Sequence, residues 1–259
     1  MSNIENALIK AKSEDKKKIS DYPTTDNSLI PSDIGQMVEN ELVDNDILEE
    51  LKIIHQEMQN RKLFNEFRAL RTLIMQKIQK ENISILVYSV ITGGGSSYIS
   101  ANLAAAIALD NKKSALLINC DFKRPAIYEQ LLEDKTGLID FLTEDMDIGN
   151  IIHPSGIKRL RVIPSGEMES SFSEHFTSNK LKTLFAEIKS RYNDRSIIVD
   201  SPPASEVADI KLLMETIDYA LLVVPFGKCN DESVRHAAEI IDRNKLLGIV
   251  INNKQQLFE

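Results

Sequence analysis

The chain has 259 residues, with 31 Lys or Arg, 39 Asp or Glu and a formal charge of -8. That acidic balance argues against general nucleic-acid binding. The length accommodates one sizeable α/β domain with extra helices, and the apolar runs are too short and interrupted to span a bilayer.

Residues 1–18 read as a short amphipathic helix, with Ile4, Ala7, Leu8 and Ala11 at helical spacing and Lys16-Lys17-Lys18 closing it. Asn3, Glu5 and Asn6 interrupt any signal-peptide pattern. Residues 19–33 hold Pro23, Pro31 and many Ser, Thr and Asp, the composition of a linker. An acidic helical stretch is predicted over 34–60, and a further helix from Phe64 to about Lys80. The division expected is therefore residues 1–60 as helices and linker, and 61–259 as the α/β domain.

From residue 83 the pattern alternates. Short Val/Ile/Leu-rich runs at 83–90, 114–119, 160–163, 196–199, 220–224 and 247–251 are separated by helical segments. Near-continuous apolar strands between helices predict a doubly wound, mostly parallel sheet covered on both faces. Cys120 and Cys229 lie in apolar surroundings and read as two buried, reduced thiols, which fits a cytoplasmic protein. His55, His153, His175 and His236 show no metal-ligand spacing.

The exit of the first strand carries Thr92-Gly93-Gly94-Gly95-Ser96-Ser97 and then a helical run, the layout of a phosphate-binding P-loop. Gly93, Gly94 and Gly95 supply backbone N–H groups at the positive end of a helix, and Ser97 offers a hydroxyl to Mg²⁺. A P-loop also uses a lysine that follows the β and γ phosphates into the transition state. Ser96 cannot do that; losing one such contact costs about 2.7–4 kcal/mol of transition-state stabilisation. A glycine-rich turn without ligand is the competing reading. Two strand ends weigh against it: Asn119 and Asp121 after the second strand, and Asp200 after the strand over 196–199. Ligands bind beyond the carboxyl ends of parallel strands, and Asp121 and Asp200 there would hold Mg²⁺ directly or through water. They are also the candidate catalytic carboxylates if the protein is active. Each alone could equally be a capping aspartate.

These residues resemble the bacterial tyrosine kinases of exopolysaccharide biosynthesis, P-loop relatives of the Min and Par ATPases. The family's GKST, three residues, NLA stands here as Gly95-Ser96-Ser97-Tyr98, Ile99-Ser100-Ala101, Asn102-Leu103-Ala104. Its LLIDADLRRP stands as Leu116 to Pro125, LLINCDFKRP, and its DTPP as Asp200-Ser201-Pro202-Pro203. Asp209 matches an aspartate beyond that motif, and Gly248 to Asn252 resembles the closing strand whose asparagine lies near the adenine. The opening Met1 to Ala11 also resembles the subgroup found in exosortase loci. The resemblance implies ATP or ADP with Mg²⁺, held by Gly93, Gly94, Gly95, Ser96, Ser97, Tyr98 and Asn252. It also implies a membrane chain-length or co-polymerase partner, and a cytoplasmic protein, peripheral at the inner face of the membrane.

The departures from the pattern carry equal weight. The family's lysine and its first aspartate of the second motif are catalytic; Ser96 and Asn119 replace them. The family's terminal tyrosine cluster has no counterpart in Asn252 to Glu259. In the oligomerisation motif E-x-x-R-x-x-R, Arg68 and Arg71 stand, with Asn65 in place of the glutamate. The leading expectation is a degenerate member acting as a regulatory or assembly subunit, with a second copy or a kinase paralogue among its partners. The alternative is an active kinase or ATPase in which Lys123 or Arg124 stands in for the lysine. A partition-type positioning protein is the third possibility. Its signature lysine falls on Ile91, and the narrow apolar stripe of the N-terminal helix suits solvent or a partner better than lipid.

Overall fold

The computed structural model describes residues 43–253 apart from 79, 81, 133–134, 167–178 and 192–194. The predicted helix over 1–18, the linker over 19–33 and the tail beyond Asn253 lie outside them. Seven helices are described: α1 (Asn45–Glu50), α2 (Arg61–Lys77), α3 (Ser96–Ala108), α4 (Leu138–Thr143), α5 (Asn179–Arg191), α6 (Val207–Leu213) and α7 (Asp231–Glu239). Short 3-10 turns span Ile127–Leu131 and Ile148–Ile151. The strands are β1 (Ser84–Ser89), β2 (Ser114–Asn119), β3 (His153–Pro154), β4 (Leu160–Ile163), β5 (Arg195–Asp200), β6 (Tyr219–Pro225) and β7 (Leu246–Asn252).

They form one sheet in the order β3-β4-β2-β5-β1-β6-β7. The two-residue β3 runs antiparallel to β4, and the other pairings are parallel. This is the doubly wound α/β architecture expected from the alternation of strands and helices. All residues of β1, β2 and β5 are buried, yet they sort by parity. Ile85, Val87, Ala115, Leu117 and Ile198 face a core with Phe67 and Ile74 of α2 and Leu103 of α3. Leu86, Tyr88, Leu116, Ile118, Ile197 and Val199 face the opposite core with Leu184 and Phe185 of α5 and Ile210 of α6. Period-two alternation between two buried faces is why the sequence reads as continuous apolar runs.

The acidic stretch over 34–60 is corrected by the structure. Within its described part, helix is confined to α1, which Asp44 caps by accepting from Asp46 N at 3.0 Å. Lys52 takes φ 53°, a left-handed conformation that stops the helix. Beyond it, Ile53, Ile54 and Met58 are buried in the α2/α3 core. Ile54 N donates to the buried Asn102 Oδ1 at 2.8 Å, so Asn102 fastens this strap to α3. Core residues pull the strap flat against the domain, which a polar helical pattern does not reveal. The thiol expectation is corrected in part: Cys120 is buried, but Cys229 is half-buried in the turn after β6.

Candidate functional site

The strand order reverses around β1: the chain passes from β1 to β2 on one side, then from β5 to β6 across it. A crevice at the carboxyl ends follows from that reversal. The glycine loop, Asn119 and Asp200 all sit there, with Asn119 and Asp200 directly paired in register across β2 and β5.

The loop is shaped by its glycines. Gly93 and Gly95 take φ of 71° and 96°, a region costly for any residue with a Cβ. A Cβ on Gly94 would come within 2.8 Å of Ser89 Cβ and 2.9 Å of Ile91 O. Gly95 faces the Asn252 side chain so closely that a Cβ would overlap Asn252 Nδ2. Asn252 Nδ2 donates to Gly94 O at 3.1 Å, so the end of β7 braces the loop.

Gly95 is the N-cap of α3, and among the described residues no side chain caps the first turn of that helix. By contrast, Asn60 and Asn230 cap α2 and α7 through Leu63 N and Ser233 N. The uncapped N–H groups of α3, at the positive end of its dipole, suit an anion. Ser96 opens this helix without a cation, and its carbonyl accepts from Ser100 Oγ at 2.8 Å. The Ser97 hydroxyl donates to Asp200. Tyr98 packs its ring edge-on to Phe67 of α2, centroids 5.9 Å apart. Burial and the nearby Glu66 push its hydroxyl up to about 12. Its side chain thus serves the helix contact, leaving its backbone to the loop.

Asp200 is fully buried. Burial lifts its carboxyl from 3.8 to about 7, with the Asp121 and Glu129 charges adding to the rise and the Ser97 and Tyr128 hydroxyls opposing it. Tyr128 Oη donates to Asp200 Oδ2 at 3.2 Å. Asp121 is held differently. Arg124 Nη1 reaches its Oδ1 at 2.9 Å and Oδ2 at 2.7 Å, while Arg124 Nη2 reaches Glu206 Oε1 at 2.5 Å. Lys123 Nζ holds the other Glu206 oxygen at 2.7 Å. Burial would lower the Arg124 guanidinium, but its bonds to Glu206 and Asp121 raise it above the usual range. Burial lifts Asp121 even against Arg124. Both cations proposed to replace the lysine are therefore paired with carboxylates here.

Asn119 is engaged through both polar atoms of its side chain. Its Oδ1 accepts from Asp121 N at 2.9 Å, and its Nδ2 donates to Glu129 Oε1 at 2.8 Å. That same Oε1 accepts from Ser165 N at 2.8 Å and Ser165 Oγ at 3.2 Å. The amide at 119 thus supplies a donor to a buried carboxylate, which an ionised aspartate could not do. Tyr128, Glu129, Ser165 and Glu206 were not singled out from the sequence. The available signal was position: Tyr128 and Glu129 follow a strand end by about ten residues, where ligand loops collect.

The donor set suits Mg²⁺ with a nucleotide. The Ser97 hydroxyl and the Asp200 carboxylate would leave most of the coordination to phosphate and water, as Mg²⁺ prefers, whereas both Asp121 oxygens are held by Arg124; the glycine loop would offer N–H groups to the phosphates. Of the two arginines that match the family's oligomerisation motif, Arg71 Nη1 donates to Ala106 O at 2.9 Å within its own chain, whereas Arg68 lies exposed over the Phe64 ring. Asp209 is buried in the first turn of α6. No described helix is long and apolar enough to cross a membrane.

A family model described as AAA domain matches residues 82–254. The tyrosine-protein kinase YwqD of Bacillus subtilis is 31% identical over 194 residues, covering 73% of this chain and 81% of the relative. The crystal structure of the chimerical protein CapA2B2 is similar with a TM-score of 0.68 at 27% identity, covering 80% of this chain and 97% of that one. The cell division ATPase MinD of Pyrococcus furiosus shares the fold, with a TM-score of 0.56 at 19% identity over 68% of this chain and 74% of that one.

Proposed function

Because this chain belongs to the bacterial tyrosine-protein kinases, with an AAA-type P-loop domain, we propose that it is a degenerate member of that family. It acts as a cytoplasmic regulatory or assembly subunit of exopolysaccharide synthesis or export, with weak or no phosphoryl transfer. Its partner is a membrane chain-length or co-polymerase protein, beside which it sits at the inner membrane face. A second copy or an intact kinase paralogue is a further partner.

The observation that carries this reading is the charge arrangement of the site. Ser96 stands where the mobile lysine belongs, and the two candidate replacements are held by carboxylates, Arg124 by Asp121 and Glu206 and Lys123 by Glu206. A cation fixed on carboxylates does not track the phosphates through the transition state. Bound Mg²⁺ would neutralise phosphate charge. Gly93 to Gly95 would cradle the phosphates, Ser97 and Asp200 would orient the ion, and Asn252 would keep the loop in shape. Ground-state binding thus outlasts catalysis. We expect the purified protein to bind Mg-ATP in a calorimeter and to release phosphate no faster than a chelated control. Robust autophosphorylation abolished by Asp200→Ala would overturn the reading.

The intact glycine nest and both strand-end aspartates favour one second reading, an active kinase in which Arg124 leaves Asp121 once Mg²⁺ binds. It predicts turnover that falls on Arg124→Ala.

A further inference from the structure

Resting on the nucleotide-site reading above, the geometry points to Tyr128 as a positioning residue for Asp200, a carboxylate that would orient Mg²⁺. Both side chains are withdrawn from solvent, Tyr128 at 1% exposure and Asp200 at 0%. The phenol donates to Oδ2 at 3.2 Å, while Ser100 Oγ lies 3.5 Å from Oδ1. One carboxylate oxygen is thereby tied to the 3-10 turn over Ile127–Leu131 and the other is turned toward the first turns of α3. A phenol is protonated at neutral pH and so serves as the donor.

The turn itself is anchored. Glu129, the next residue, takes three hydrogen bonds on Oε1 from Asn119 and Ser165. Consecutive side chains of one turn therefore fix the ends of two paired strands, β2 through Asn119 and β5 through Asp200. A phenylalanine at 128 would fill the same space without needing a hydrogen-bond partner; a buried phenol requires one. Outer partners of this kind fix a metal-binding carboxylate before the ion arrives, and removing one typically costs about 10–100-fold in metal affinity.

The test is the gain in ADP affinity on adding Mg²⁺, measured by calorimetry for wild type, Tyr128→Phe, Asp200→Asn and the double variant. Tyr128→Phe is expected to cut that gain about tenfold and to leave the metal-free ADP affinity unchanged. In the Asp200→Asn background the same change is expected to have no further effect, the non-additivity of a direct pair. Thermal unfolding without ligand accompanies each measurement. A loss of folding in Tyr128→Phe that Asp200→Asn repairs reads the same coupling through stability. An unchanged Mg²⁺ gain in Tyr128→Phe overturns the inference alone. Absence of any Mg²⁺ gain in wild type overturns it together with the nucleotide-site reading.

Discussion

Two buried or half-buried aspartates at opposite ends of the sheet are treated in opposite ways. Asp218, just before β6, takes Ser84 N at 2.9 Å, Ser84 Oγ at 2.8 Å and Lys189 Nζ at 3.0 Å on Oδ2. Burial pushes its carboxyl up, but the Lys189 and Ser84 bonds more than offset this and hold it below the usual carboxylate range. Asp200, at the far end of β5, meets hydroxyls but no cation among its named partners, and its carboxyl rises to about 7. The closed end of the sheet satisfies its charge with protein groups. The open end holds a carboxylate at a cost in stability, the arrangement expected of the cation site proposed there.

Three measurements break or sharpen that contrast. The largest effect is expected from Asn119→Asp, which restores the family residue. It places a second carboxylate against Glu129 Oε1, now 2.8 Å from the amide nitrogen. We expect a loss of about 3–5 kcal/mol in denaturant unfolding at neutral pH, shrinking in acid, and no gain of kinase activity. A neutral stability change would show that the Asn119 amide is dispensable.

Next comes Asp200→Asn. The folded wild type keeps its Asp200 proton up to about pH 7, whereas the unfolded chain releases it near 3.8. Folding therefore takes up a proton between those values, and wild-type stability falls as pH rises through that window. The variant lacks this slope and is expected to be the more stable protein at pH 8, by about 4 kcal/mol at most, while losing the Mg²⁺ gain. A variant that unfolds more easily at pH 8 would reverse the assignment.

The smallest effect is expected from Asp218→Ala, about 2 kcal/mol of destabilisation at neutral pH. Here the sign is opposite. A carboxyl lowered in the fold contributes stability above its unfolded value of 3.8, and this is lost as pH falls through the lower folded value. The difference from wild type should therefore narrow in acid. Nucleotide binding should remain, since this carboxylate lies at the other end of the sheet.

The six longer strands were legible because two buried faces demand unbroken apolar runs. The glycine loop and the two strand-end aspartates were legible because few residue types tolerate those positions. His153–Pro154 was not, since a two-residue strand has no period. Nor was the strap through Ile53, Ile54 and Met58, whose shape is decided by burial against α3 rather than by local pattern. Tyr128, Glu129, Ser165 and Glu206 escaped for a related reason. Each acts through a partner distant in sequence, Tyr128 on Asp200 being 72 residues away. Asn119 was legible as a departure from a motif, but its partner Glu129 was not, so its role as a donor came only from the structure.

The brace from Asn252 to Gly94 joins positions 158 residues apart. A nascent chain whose first strand and glycine loop have already left the ribosome still lacks that tie until the final strand has followed. The loop therefore gains this tie only after β7 has been made, and a chain halted before residue 252 carries every glycine of the site without that brace.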